Sequence, residues 1–241
     1  MNIALILSGG SGARVGSNIP KQYIEVAGKP IITYCIKTLS EHERIDGIWI
    51  VAEREWQDKI SMWLKMYGLE SKVKGFSFPG ENRQLSILNG LEDIARFAEA
   101  NDYVMIHDAA RPCLSAQMVT DCFAGVDGHD GVLPVLPMKD TVYMSTDGRA
   151  ITSLLDRQQI FAGQAPEVFI LDKYLEANKR LVEEKCEMAD GSMKSAILAI
   201  NGSTEPAVMA GMDIAMIPGE EANFKITTRE DLERFRQLVE I

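Results

Sequence analysis

Cysteine is scarce and scattered in this 241-residue chain: Cys35, Cys113, Cys122 and Cys186, with no C-x-x-C pair. That argues against a disulfide framework or a zinc knuckle and leaves reduced thiols as the plain reading. Histidine is scarcer still (His42, His107 and His129), and no H-E-x-x-H metal motif can be formed from it. No apolar run approaches the ~20 residues of a membrane span. The stretch Met1 to Leu7 lacks the basic n-region of a signal peptide. Positive charge is also short, with 25 Lys and Arg against 35 Asp and Glu for a net charge of −10. Such a chain offers no broad field to a nucleic acid, so any bound anion must be held by a local cluster of cations and backbone N–H groups. With 46% hydrophobic and 25% charged residues the composition is ordinary for a globular protein. A soluble, cytoplasmic protein is expected, with no nucleic-acid or membrane partner. Nothing resembling a linker or repeat divides it, so residues 1–241 are read as one domain.

What is present is an alternation of short apolar runs with segments of helical period. Ile3 to Leu7, Ile48 to Val51, Tyr103 to Ile106 and Val132 to Leu136 read as buried strands of a parallel sheet. Helical patterns lie between them, over about 30–42, 54–67, 83–100 and 115–125. The expected fold is α/β and Rossmann-like, a mostly parallel twisted sheet flanked by helices. After Pro137 the regularity breaks. Asp147-Gly148 is a hairpin turn signal between Thr141–Met144 and Ile151–Leu155, so 138–160 reads as a protruding β-arm. A lone two-stranded arm is marginal in water, which points to packing on a second subunit. Helices resume near 171–185 and 189–200. A strand follows at Ile214 to Ile217, then a helix from about Thr228 opened by a Thr227-x-x-Glu230 capping box.

The chemistry-bearing signal is Ser8-Gly9-Gly10-Ser11-Gly12-Ala13-Arg14-Val15-Gly16, directly after the first strand. Ligands of open α/β sheets bind beyond the carboxyl ends of strands, and a glycine-rich loop there brings N–H groups close to phosphate oxygens. Familiar versions fail on spacing. Val15 stands where G-x-G-x-x-G needs glycine, Gly28-Lys29 runs into Pro30 instead of Ser or Thr, and G-x-S-x-G is not completed after Ser11. Arg14 and Lys21, seven residues apart, flank the cradle instead. Two fixed cations beside a polyphosphate suit phosphoryl or nucleotidyl transfer, where charge builds on phosphorus oxygens.

The pattern G-G-x-G-x-R-x(5)-P-K-Q closely resembles the CTP-dependent cytidylyltransferases that make CDP-polyols, namely the 2-C-methyl-D-erythritol 4-phosphate and ribitol-5-phosphate cytidylyltransferases. The likeness continues in order through Gly80–Ser86, His107–Pro112, Asp140-Thr141, Asp156-Arg157, Gln164-x-Pro166-x-x-Phe169 and Lys225-Ile226-Thr227. The resemblance implies that Ser8, Gly9, Gly10, Ser11 and Gly12 cradle the CTP triphosphate. It implies that Arg14, Lys21 and Lys225 stabilise the transferring phosphorus. Gly80, Glu81 and Ser86 would read cytosine. Asp108 would hold acceptor hydroxyls or lie near Mg²⁺ or another divalent cation. Thr141 and Arg157, on the arm, would hold the acceptor phosphate in the partner's site of a homodimer. His107 reads as a packed residue and Arg111 as a loop-shaping one, because an attacking phosphate is already anionic and needs no strong base.

Three departures bear on the acceptor. The Thr-Asp pair usual before the last strand falls on Asn201 and Gly202, with Ser203-Thr204-Glu205 just beyond. Ala222 stands where the erythritol-type D-N-I-K has its carboxylate. Gly163-Gln164-Ala165-Pro166 is closer to the ribitol-type G-Q-T-P. Against these, His107–Pro112 and Arg83-x-x-Ser86 match erythritol-type enzymes. The leading acceptor is therefore methylerythritol phosphate, with ribitol 5-phosphate as the alternative. A non-catalytic nucleotide-binding homologue and a transferase using another NTP are the readings from further afield.

Overall fold

The computed structural model describes residues 1–10, 16, 19–188 and 202–239. Its first half runs β1 (Asn2–Leu7), β2 (Glu25–Val26), β3 (Lys29–Pro30), α1 (Ile31–Glu41), β4 (Gly47–Val51), α2 (Arg54–Tyr67), β5 (Val73–Ser77), α3 (Arg83–Ile94), β6 (Tyr103–Asp108) and α4 (Ala116–Gly125). The second half runs β7 (Gly131–Pro137), β8 (Val142–Met144), β9 (Ser153–Leu155), β10 (Phe161–Gly163), β11 (Glu167–Ile170), α5 (Leu171–Met188), α6 (Glu205–Met209), β12 (Ile214–Pro218) and α7 (Arg229–Val239).

The main sheet has the order β12-β7-β11-β6-β1-β4-β5, with β10 continuing from β11 along the same edge of β7. Neighbours are parallel except that β10 and β11 run antiparallel to theirs. This is the expected α/β sheet, with β11 reversed between β7 and β6 and β10 reversed beside β7.

Alternation along β1 explains the layering. Ala4 and Ile6 face one way, into a core with Ile32, Ile36 and Leu39 of α1, Ile60 and Leu64 of α2, and Val119 of α4. Ile3 and Leu5 face the other way, against Ile87, Leu91 and Ile94 of α3 and Leu171 and Tyr174 of α5. Both faces are thus dry, and each such Ile or Leu contributes roughly 1.5–3 kcal/mol by leaving water. Gly90 lets α3 settle on the sheet, since a Cβ there would lie 2.6 Å from Leu5 Cδ1. A third cluster, Val26, Ile31, Ile226, Leu232 and Phe235, seats α7.

The arm is present as β8 and β9, which pair only with each other. Its turn is tied by the Asp147 carboxylate, which accepts from the N–H groups of Arg149 and Ala150. Tyr143, Met144, Ile151 and Leu154 are exposed along it.

Three expectations need adjusting. The third helix ends at Ile94, not near 100, because the chain must turn back into β6; Asp102 accepts from Glu99 N–H at that turn. Strands β5 and β11 were not anticipated: Lys74 and Gly75 dilute the first, and Glu167 interrupts the second. The last capping box is one residue later than expected, with Thr228 Oγ1 accepting from Asp231 N–H and the Asp231 carboxylate accepting from Thr228 N–H. The helix expected at 189–200 lies outside the described residues. No helix among the described residues is long and apolar enough to cross a membrane.

Candidate active site

The carboxyl ends of β1, β4, β5 and β6 open into one cavity of about 670 Å³, within the usual range for a small-molecule site. Its wall includes Gly9 and Gly10 after β1, Glu53 after β4, Gly80 to Arg83 after β5, and Asp108 at the end of β6. Lys21, Gln22, Ser86, Lys225 and Thr227 complete much of it.

The glycine loop is held from below. The Gln22 amide donates to the carbonyls of Ser8 at 2.6 Å and Gly10 at 2.8 Å. Gln22 sits in a short 3₁₀ turn, Lys21–Tyr23, whose Tyr23 ring stacks on Trp56 with centroids 4.2 Å apart. Ser8, expected among the cradle residues, turns inward: its hydroxyl donates to Tyr23 Oη at 2.7 Å and it is 2% exposed. Burial pushes the Tyr23 phenol up to about 12, so this support stays neutral. Gly9 is forced to be glycine by Pro79, whose Cβ would stand 2.6 Å from an added Cβ. Ser11, Gly12 and Arg14 lie outside the described residues.

Across the cavity, α3 begins at the Asn82 N-cap, whose side chain accepts from Leu85 N–H at 2.9 Å. Gly80 N–H donates to Ser86 Oγ at 3.0 Å, and Ser86 Oγ donates to the Asn82 carbonyl at 2.7 Å. A Cβ on Gly80 would stand 2.3 Å from Leu85 Cβ, so this turn closes only without a side chain. Gly80, Glu81 and Ser86 all reach the cavity wall.

Asp108 is the electrostatic centre. Lys225 Nζ stands 3.0 Å from its Oδ2, Arg111 Nε donates to Oδ2 at 3.4 Å, and Arg83 Nη2 donates to Oδ1 at 3.2 Å. Burial alone would raise its pKa; Arg83, Lys225 and Arg111 outweigh that and hold the carboxyl far below the usual carboxylate range. Arg111 also donates to the Asn223 carbonyl at 2.7 Å, which fixes the loop carrying Lys225. His107 is fully buried and its Nε2 meets the Arg111 carbonyl at 3.1 Å. Burial lowers its pKa to about 4, so it is a neutral packed residue at pH 7.

Lys21, Asp108 and Lys225 are thus brought together, whereas Thr141 and Arg157 are not part of this wall. Thr141 is exposed, and Arg157 donates to the Lys139 carbonyl at the arm's base. Sequence reasoning gave no role to Gln22 or Arg83. Gln22 was visible in the P-K-Q triplet, and Arg83 only as a neighbour of Ser86.

A family model described as IspD, 2-C-methyl-D-erythritol 4-phosphate cytidylyltransferase, matches residues 2–240. The chain belongs to the IspD family. It is accordingly a CTP-dependent cytidylyltransferase. It is 32% identical over 238 residues to a 2-C-methyl-D-erythritol 4-phosphate cytidylyltransferase of Lachnospira eligens, covering 97% of this chain and 96% of that one. It is 31% identical over 239 residues to a ribitol-5-phosphate cytidylyltransferase of Streptococcus agalactiae serotype III, covering 99% and 95%. In fold it superposes on a 4-diphosphocytidyl-2C-methyl-D-erythritol synthase structure from Anaerococcus prevotii with a TM-score of 0.79 at 21% identity, covering 100% of this chain and 96% of that one. For IspD of Francisella tularensis the TM-score is 0.77 at 22% identity, with 99% of both chains covered.

Proposed function

We propose that this IspD-family enzyme transfers CMP from CTP to 2-C-methyl-D-erythritol 4-phosphate, releasing pyrophosphate and placing it in isoprenoid precursor synthesis. The observation that carries the transfer is the Asp108–Lys225 pair set on the same cavity wall as Lys21 and the glycine loop. The acceptor's phosphate oxygen attacks the α-phosphorus in line, a P–O bond forms, and the bond to the β-phosphate oxygen breaks. Arg14, Lys21 and Lys225 stabilise the charge that grows on the phosphorus oxygens, each such donor being worth roughly a hundredfold or more in rate. The triphosphate lies on the loop that begins at Gly9 and Gly10 and continues through Ser11 and Gly12. The turn at Gly80, Glu81 and Ser86 takes the cytosine. Asp108, ionised throughout the physiological range, accepts from acceptor hydroxyls.

No cluster of three or more His, Cys, Asp or Glu groups able to hold a metal occurs among the described residues. Asp108 is already caged by three cations, so the donor set fits a Mg²⁺ held chiefly by the nucleotide's own phosphates, with Asp108 as at most one protein ligand. Bound there, the ion would neutralise triphosphate charge. The exposed apolar arm supports a homodimer in which Thr141 and Arg157 of one subunit hold the acceptor phosphate in the other's site.

The acceptor assignment is supported by the Lachnospira relative and the match along nearly the whole chain. Ribitol 5-phosphate, for wall or capsule polymer synthesis, is supported by the streptococcal relative and by the Gly163–Pro166 sequence. Pyrophosphate release with CTP, Mg²⁺ and each acceptor in turn tests the proposal. Turnover with the first acceptor is expected, and a preference for the second would transfer the assignment to it.

A further inference from the structure

A second carboxylate lies behind this wall, unused by the chemistry above. Glu167, on β11, is 6% exposed and pairs in register with Ile106, two residues before Asp108. Ser203 Oγ donates to its Oε1 at 2.5 Å and Thr204 Oγ1 to its Oε2 at 3.5 Å. Those two residues lie just before α6, and Tyr174 Oη fastens the same turn by donating to the Ser203 carbonyl at 2.7 Å.

Glu167 also bears on the site electrostatically. Burial works against the charge on Arg83, but Asp108, and after it Glu167, more than restore it. Arg83 in turn is the strongest charge favouring ionised Glu167, against the upward push of burial on that carboxyl. Arg83, which donates to Asp108, therefore also feels the charge of the buried carboxylate behind it. The buried carboxylate is answered by two hydroxyls from a distant part of the chain.

Residue by residue, this is a brace joining the Asp108 side of the cavity to the 203–204 turn. A buried acceptor that loses its partners is left without compensation for the water it gave up, so the brace holds its parts in one arrangement. Arg83, at the start of α3, is its one residue beside the Gly80 turn; the glycine loop and Gln22 have no member in it.

We propose that Glu167 is a positioning residue for the acceptor: by holding the Ser203–Thr204 turn against the strand pair that ends in Asp108 it sets how the polyol phosphate is received, and leaves CTP binding alone. The inference rests on the proposed transfer to a polyol phosphate.

The test is steady-state pyrophosphate release by the full-length enzyme, varying CTP and acceptor separately, with melting temperature as a check on folding. Glu167→Ala should raise the KM for the acceptor about tenfold while the KM for CTP stays within about twofold. Glu167→Gln, which can still accept from Ser203, should recover part of that loss. Because a buried alanine could unfold the chain, the single variant Thr204→Ala, which removes only the longer contact at 3.5 Å, provides a milder cut and should show the same split in smaller measure. Equal movement of both KM values, or folded variants with an unchanged acceptor KM, would overturn the inference. Failure of the wild-type enzyme to turn over either polyol phosphate would overturn the acceptor reading and this inference with it. Wild-type turnover with unshifted variants would overturn this inference alone.

Discussion

Lys225 Nζ lies 3.0 Å from Asp108 Oδ2, so the one cation supplied to the cavity by the last strand-to-helix connection is anchored to the last residue of β6. Removing either partner is expected to do different things. Lys225→Ala leaves Asp108 with Arg83 and Arg111, so the fold should survive while turnover falls roughly a hundredfold. Asp108→Asn leaves three cations facing each other around a buried amide. It should cost about 3 kcal/mol of stability as well as turnover. Pyrophosphate release and urea unfolding on the same preparations separate the two outcomes.

Two glycines on the cavity wall make a contrasting pair. A methyl at Gly80 would collide with Leu85 backbone and side chain, at 2.7 and 2.3 Å, so Gly80→Ala should lose about 1–3 kcal/mol of stability and weaken CTP binding together. A methyl at Gly10 meets nothing within 4 Å among the described residues. Gly10→Ala should leave the melting temperature unchanged and raise only the KM for CTP, because its methyl then occupies ligand space. Equal effects on stability would contradict the placement of the triphosphate.

His107 gives a signature in pH. Its pKa is depressed by burial from the ordinary 6.5 to about 4. The unfolded chain therefore binds more protons between those values, and stability should fall as pH drops from about 6.5 towards 4. The loss amounts to roughly 3 kcal/mol by linkage. Asp108 follows the same sign at lower pH: its contribution is present above the unfolded carboxyl value and is lost on further acidification through its depressed folded value. Urea midpoints across pH 4–8 check this, and His107→Asn should flatten the upper part of the curve.

The arm carries the fourth prediction. Leu154 is 65% and Ile151 67% exposed; in the proposed homodimer, Leu154→Glu should shift sedimentation velocity from a dimer to a monomer. Arg157→Ala should keep the dimer and raise the KM for the acceptor without changing that for CTP.

Much of this was legible in the chain because strong local signals and the site coincide. Ile3 to Leu7 could hardly be other than a strand buried on both faces, and the loop after it had to face a ligand. Asp108 was legible as the end of a second such run. What escaped was non-local. Nothing near Arg83 in sequence announces that its guanidinium meets Asp108, 25 residues away. Nothing near Glu167 announces Ser203, 36 residues on. The final capping box was misread by one residue because Thr227 and Thr228 both offer hydroxyls, and only the geometry selects Asp231 over Glu230.

The sheet order has a consequence for how such a protein can change its habits. In the proposed reading the nucleotide is served from the ends of β1, β4 and β5 on one flank of the sheet, and the acceptor from β6 outward, on the flank of β11, β7 and β12. Substitutions accumulating on the outer flank need not disturb the triphosphate cradle. A lineage can drift from one polyol phosphate to another while its appetite for CTP is inherited intact, and chimeras joined between these flanks are where that inheritance would be seen.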